Sequence, residues 1–197
     1  MSKVVLKRPR GEALRRRVLE TALRLFSERG YFNTSIHDIR REAGVSIGAI
    51  YHHFGNKENL AQALYDDLMA RMEAAIVPVI HEHQGCRERS RSIIALLFEL
   101  TTREPRMMEF VLMAKHREFL PNEAPICSSR PFLAMRQVLV DGMADGGVRR
   151  MDPWVAATAM FGGALRMMNL QLDRALDRPL TDYLDQVVDC GWRAVRV

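Results

Sequence analysis

Cysteine, long apolar runs and strand-like alternation are all scarce in this sequence, and each shortage excludes a class of protein. The 197 residues hold three cysteines, Cys86, Cys127 and Cys190, odd in number and far apart. They make neither the framework of a disulfide-stapled domain nor the closely paired spacing of a structural zinc site. They read as free thiols, with redox sensing as the alternative. No stretch nears the roughly 20 uninterrupted apolar residues that a membrane-crossing helix requires. The opening "MSKVVLKRPRG" holds too short an apolar run for a signal peptide. The expectation is a cytoplasmic protein with no membrane partner. Nothing reads as a strand of any length, which points to an all-helical chain.

What is present is a globular composition, 48% apolar and 27% charged. The length allows a small module joined to a larger body. Charge is unevenly shared: residues 1–60 carry 12 Lys+Arg against 6 Asp+Glu, whereas the remainder carries 17 against 18. A basic first third before a near-neutral body suggests an N-terminal module that meets a polyanion.

Punctuation divides that first third into helices. After a basic arm ending at Arg10, Leu14, Val18, Ala22, Leu25 and Phe26 recur at helical spacing, and Gly30 closes the run. "NTSIHDIRREAG" opens with Thr34 as the expected N-cap, places Ile36, Ile39 and Ala43 on one face and stops at Gly44. Ser46 can cap another helix two residues later, and two short helices joined so tightly, with a third against them, make a helix-turn-helix. Asn56 can cap the next helix, with Leu60, Leu64, Leu68 and Met72 on one face and Pro78 as an expected kink. Residues 87–103 and 105–118 read as helices, about 119–131 as a proline-rich loop, and three further helical stretches follow. The fold class is therefore all-α with about nine helices. A helix-turn-helix module over 1–56 is expected to precede a helical body over 57–197.

The segment "VSIGAIYHHFGNKENL", 45–60, carries the chemistry. Wound at about 100° per residue, Ile47, Ile50 and Phe54 share one narrow arc. Gly48, Ala49 and His52 take the opposite arc, flanked by Tyr51, Ser46 and His53. A face this bare has no nucleophile with a partnering base, as an enzyme would need. Adjacent His52 and His53 diverge around the helix and so do not converge on a metal. His53 beside Phe54 can equally pack and bond to backbone. Small residues do allow close approach in a major groove, with an alanine methyl able to touch a thymine methyl.

"LFSERGYFNTSIHDIRREAGVSIGAIYHHFGNKENL", Leu25 to Leu60, resembles the DNA-binding domain of the TetR family of bacterial transcriptional regulators. The Thr34-Ser35 pair, the Ala43-Gly44-Val45 turn, the Ser-x-Gly-x-Ile-Tyr-x-His-Phe helix and the Lys57-Glu58 start fall in order at unbroken spacing. The resemblance implies phosphate contacts from Thr34, Tyr51 and Lys57, and a DNA-facing place for Ser35. It places Ser46, Ile47, Gly48, Ala49 and His52 in or beside the groove, with His53 next to them. Lys3, Lys7, Arg8 and Arg10 form an arm that can enter a minor groove or remain solvated.

The family plan also implies a pocket among the middle helices and a homodimer built on the last two. "WVAATAMFGGALRMMNLQL", 154–172, is apolar nearly all round, which suits a dimer helix or a buried core helix. Met and Phe side chains suit a pocket for a small, largely apolar effector, although ordinary core filling explains them too. The candidate ligand set is Phe98, Met108, Phe110, Met113, His116, Arg117, Cys127, Phe132, Met135 and Phe161. His81, His83 and Cys86 suggest metal or redox sensing only weakly beside a plain helix end, and no cofactor is called for. The expected partners are a palindromic double-stranded DNA operator, the effector and a second copy of the chain. The expected role is transcriptional repression relieved by the effector. An activator, a corepressor-dependent regulator or an effector-less architectural factor remain as alternatives.

Overall fold

The computed structural model describes residues 10–197, without the side chain of Arg10, so the expected arm of Lys3, Lys7, Arg8 and Arg10 lies outside the described residues. Among the described residues ten α-helices follow one another: α1 (Arg10–Arg29), α2 (Ile36–Ala43), α3 (Ile47–Phe54), α4 (Lys57–Glu82), α5 (Cys86–Arg103), α6 (Pro105–Met113), α7 (His116–Phe119), α8 (Arg130–Ala144), α9 (Pro153–Leu172) and α10 (Leu184–Val195). Short 3-10 turns lie at Ile126–Ser128 and Leu180–Tyr183. The described residues contain no strand, only a single bridge between Val148 and Arg196. The count exceeds nine because the helix expected over 105–118 breaks at Ala114 and Lys115 into α6 and the single turn α7. Pro78 lies inside α4 without ending it.

The chain forms two compact units. The first holds the described residues up to Asp66 together with Lys115–Pro121, and the second holds Asp67–Ala114 and Asn122–Val197. In the first, Val18, Ala22 and Leu25 of α1, Ile39 of α2, Ile50 of α3, and Leu60 and Leu64 of α4 are almost wholly buried. Each such Val, Leu or Ile side chain contributes roughly 1.5–3 kcal/mol relative to exposure, and the Ala22 methyl less. That core fixes the angle at which α3 is presented. Arg24 of α1 adds an ion pair to Glu42 of α2 at 2.8 Å.

In the second unit α9 packs on α5, α6, α8 and α10. Phe98, Met108, Met160, Ala164 and Met168 lie at its centre. Two glycines permit the closest approaches. A Cβ at Gly191 of α10 would lie 2.5 Å from the Met160 carbonyl oxygen, and one at Gly142 of α8 would lie 2.7 Å from Cβ of Cys86. Arg87 and Arg91 of α5 pair with Asp189 and Asp185 of α10 at 2.9 and 2.8 Å.

Candidate nucleic-acid interface

The site is assembled by caps. Ser35, in extended backbone, accepts the Asp38 N–H at 3.1 Å, while the Asp38 carboxylate accepts the Ser35 N–H at 3.0 Å and its hydroxyl at 2.5 Å. This reciprocal capping box satisfies donors that the start of α2 would otherwise leave open. Hydrogen bonds from the Ser35 hydroxyl and N–H, with one from Arg41, hold the Asp38 carboxyl down at about 2.

The cap is therefore Ser35, one residue later than the expected Thr34. Thr34 is buried instead, its hydroxyl directed at the carbonyl oxygens of Gly30 and Leu25 at 2.9 and 3.3 Å. It ties the turn to the end of α1 and has no hydroxyl hydrogen left for a phosphate in this arrangement.

Gly44 then adopts φ 62°, a left-handed conformation that costs a glycine little, and turns the chain from α2 into α3. Ser46 caps α3 by accepting the Ala49 N–H at 3.1 Å. Asn56 caps α4 by accepting the Asn59 N–H at 2.7 Å.

On α3, Ile50 and Phe54 are buried and Ile47 is half-buried, as their shared arc requires. Ser46, Gly48, Tyr51, His52 and His53 are exposed, and Ala49 is half-buried. A Cβ added at Gly48 would meet nothing within 4 Å, so the middle of this face is open. The His53 ring extends back towards α1, where it would lie 3.5 Å from a Cβ on Gly11. Among the described residues no group of three or more His, Cys, Asp or Glu is placed to hold a metal ion.

Lys57, at the start of α4, has its Nζ 4.0 Å from the centre of the Tyr31 ring. Tyr31 in turn stacks on Phe119 of α7, with ring centres 4.5 Å apart and planes inclined by 18°. Burial pushes the Lys57 ammonium below the usual lysine value; it also pushes the Tyr31 phenol up, helped by the charge of Glu58. Tyr31 is absent from the residues that sequence reasoning singled out, and Phe119 counted there only among the Met and Phe side chains that suit an apolar pocket. The tyrosine stands in plain view in the turn before α2, whereas nothing local marks Phe119, about ninety residues away along the chain.

Residues 18–64 match the family model described as bacterial regulatory proteins, tetR family. Residues 18–64 thus carry a TetR-family DNA-binding segment. Every residue assigned to the DNA-facing surface lies inside that match. The chain is 44% identical over 62 residues to the transcriptional repressor AcnR of Corynebacterium glutamicum, a span of 32% of this chain and 33% of the relative. It is 50% identical over 54 residues to the transcriptional regulator TtgR of Pseudomonas putida, 27% and 26% of the two chains. These matches span about a third or less of the curated relatives' own lengths.

Solved structures extend the likeness in fold over more than nine-tenths of the chain. A TetR-family transcriptional regulator from Haemophilus influenzae superposes with a TM-score of 0.80 at 19% identity, covering 96% of this chain and 100% of the other. The regulator FadR from Bacillus subtilis, solved in complex with stearoyl-CoA, gives 0.77 at 18%, covering 92% and 99%.

The expected ligand set falls in differing surroundings. Phe98, Met108, Phe110, Met135 and Phe161 are buried core of the second unit, and Phe132 is half-buried on α8. Met113, Arg117 and Cys127 are exposed. His116 and Arg117 belong to the first unit, where His116 is buried against Tyr65 and Phe119 with ring centres at 5.2 and 5.8 Å. The second unit opens a cleft of about 280 Å³ elsewhere, lined by Gln84, Gly85, Cys86, Arg87, Glu88, Gly142, Asp145, Gly147 and Trp192. None of the ten expected residues lines it. No helix among the described residues is long and apolar enough to cross a membrane.

Proposed function

We propose that this chain is a TetR-family, sequence-specific transcriptional repressor that holds a palindromic operator as a homodimer and leaves it when a small, largely apolar effector binds the helical body. The observation that carries the reading is the exposed face of α3. Ser46, Gly48, Ala49, Tyr51 and His52 form a surface with no carboxylate, mounted on a buried Ile50–Phe54 spine and bordered by Lys57. Such a face admits close approach to base edges, while Tyr51 and Lys57 can donate to backbone phosphates.

Two-fold pairing is supported by the last two helices. Val155 of α9 remains 57% exposed, Gly163 is open, and Val187 and Cys190 of α10 lie at or near the surface. A second copy covering these residues would supply the second half-site reader, with recognition helices about 34–36 Å apart. The effector would act by favouring a conformer in which those helices no longer match two successive grooves, to the extent of its differential affinity for the two states. The named acyl-CoA ligand of the Bacillus subtilis neighbour makes long-chain acyl thioesters the first effectors to assay.

Ala49→Arg tests the reading at the groove. Selection from a randomised duplex library should return a different preferred sequence for the variant, with its melting temperature within a few degrees of wild type. An unchanged preference would remove Ala49 from the reading face.

A further inference from the structure

We propose that Tyr31 and Phe119 are positioning residues for DNA binding, forming an aromatic column that holds the Lys57 ammonium ready for a backbone phosphate. This rests on the DNA-binding reading of the first unit and extends it to two residues outside the α3 face.

A lysine carries a long, flexible stem whose freedom is lost when its ammonium is fixed on a phosphate. Here part of that loss is already incurred before DNA arrives. The Lys57 Nζ sits 4.0 Å from the Tyr31 ring centre, within the distance at which a ring face attracts a cation. An ammonium on a ring face keeps donors on the side away from the ring, so the contact leaves it able to bond a phosphate oxygen.

Tyr31 cannot hold this pose alone, since it stands in the turn between α1 and α2. It is braced from both sides in the chain: Phe26 of α1 lies 5.2 Å away at 59°, and Phe119 lies 4.5 Å away in a near-parallel stack. Phe119 is itself buried and packs beside His116. The depression of the Lys57 ammonium by burial agrees with a side chain folded onto a ring and not extended into solvent.

The column contributes through Lys57 or not at all, which makes it separable from mere packing. Full-length protein is titrated with a scrambled duplex at low salt, where phosphate contacts dominate and no operator need be known. Tyr31→Leu is expected to weaken binding about two- to fivefold, and Tyr31→Phe, which keeps the ring face, should bind as wild type. Phe119→Leu should weaken binding in the same direction by a smaller factor. In a Lys57→Ala background neither leucine substitution should weaken binding further. Binding that is unchanged by Tyr31→Leu, or that falls by the same factor with and without Lys57, overturns the proposal while leaving the DNA-binding reading intact. Failure of the wild type to bind any duplex removes both. Should Tyr31→Leu fail to fold, comparison of Phe119→Leu with and without Lys57 decides the matter.

Discussion

Lys57 is where charge, position and packing meet, at the first turn of α4 and beside the exposed face of α3. If it neutralises one phosphate, Lys57→Ala should weaken binding to every sequence by about the same factor and lower the slope of log affinity against log salt by about 1. Titrations at several salt concentrations measure this, and parallel slopes for mutant and wild type would take Lys57 off the phosphate list. Much of this face was legible in the sequence, because a helix of eight residues with Ile50 and Phe54 on one side leaves little choice about the other. The inward turn of Thr34 was not legible. Thr and Ser are both good caps, and which of two neighbours faces the core depends on the carbonyls of Leu25 and Gly30, supplied by the end of α1. The stacking of Phe119 on Tyr31 was equally hidden, since a contact between distant segments leaves no local pattern.

The helix-turn-helix relies on its caps at the level of elements. The Asp38 carboxyl is held below its ordinary value, so its contribution to folding is fully present above the ordinary value of 3.8 and is lost as pH falls through about 2. Asp38→Asn should therefore flatten the acid limb of a helix-content titration in that window. A variant with the same acid limb as wild type would mean that the capping box does not govern acid stability.

In the second unit the crossing of α9 and α10 depends on Gly191. Gly191→Ala must move the Met160 carbonyl or the whole helix, a strain of roughly 1–3 kcal/mol. The expected loss is several degrees in melting temperature, and an unchanged melt would mean that α10 shifts freely. Element boundaries were readable wherever Gly, Pro or a capping side chain marks them, as at Gly44, Ser46, Asn56, Pro105 and Pro153. The break between α6 and α7 falls at Ala114-Lys115, where no such residue stands. The burial of His116 and Phe119 in the first unit, not local propensity, decides it.

As a whole molecule the chain joins a reading unit, recognisable from about forty contiguous residues, to a body whose sequence says little about what it binds. The difference is physical. A groove-reading helix needs fixed residue types at fixed spacing, whereas an all-helical body can fill its core with any apolar set of suitable volume. Phe98, Met108 and Phe161 are buried, and a Met or Phe that lines a cavity looks in sequence like one that fills a core.

The central claim, that two copies of α3 read a two-fold operator, is tested most directly by fluorescence-anisotropy titration of full-length protein. The probes are the DNA flanking its own gene, a single half-site taken from that DNA, and a scrambled duplex, each at two salt concentrations. The expected result is tight, salt-dependent binding to the intact flank, about 10³-fold weaker binding to the scramble, and a large loss on the half-site. Equal affinity for all three probes would contradict the claim.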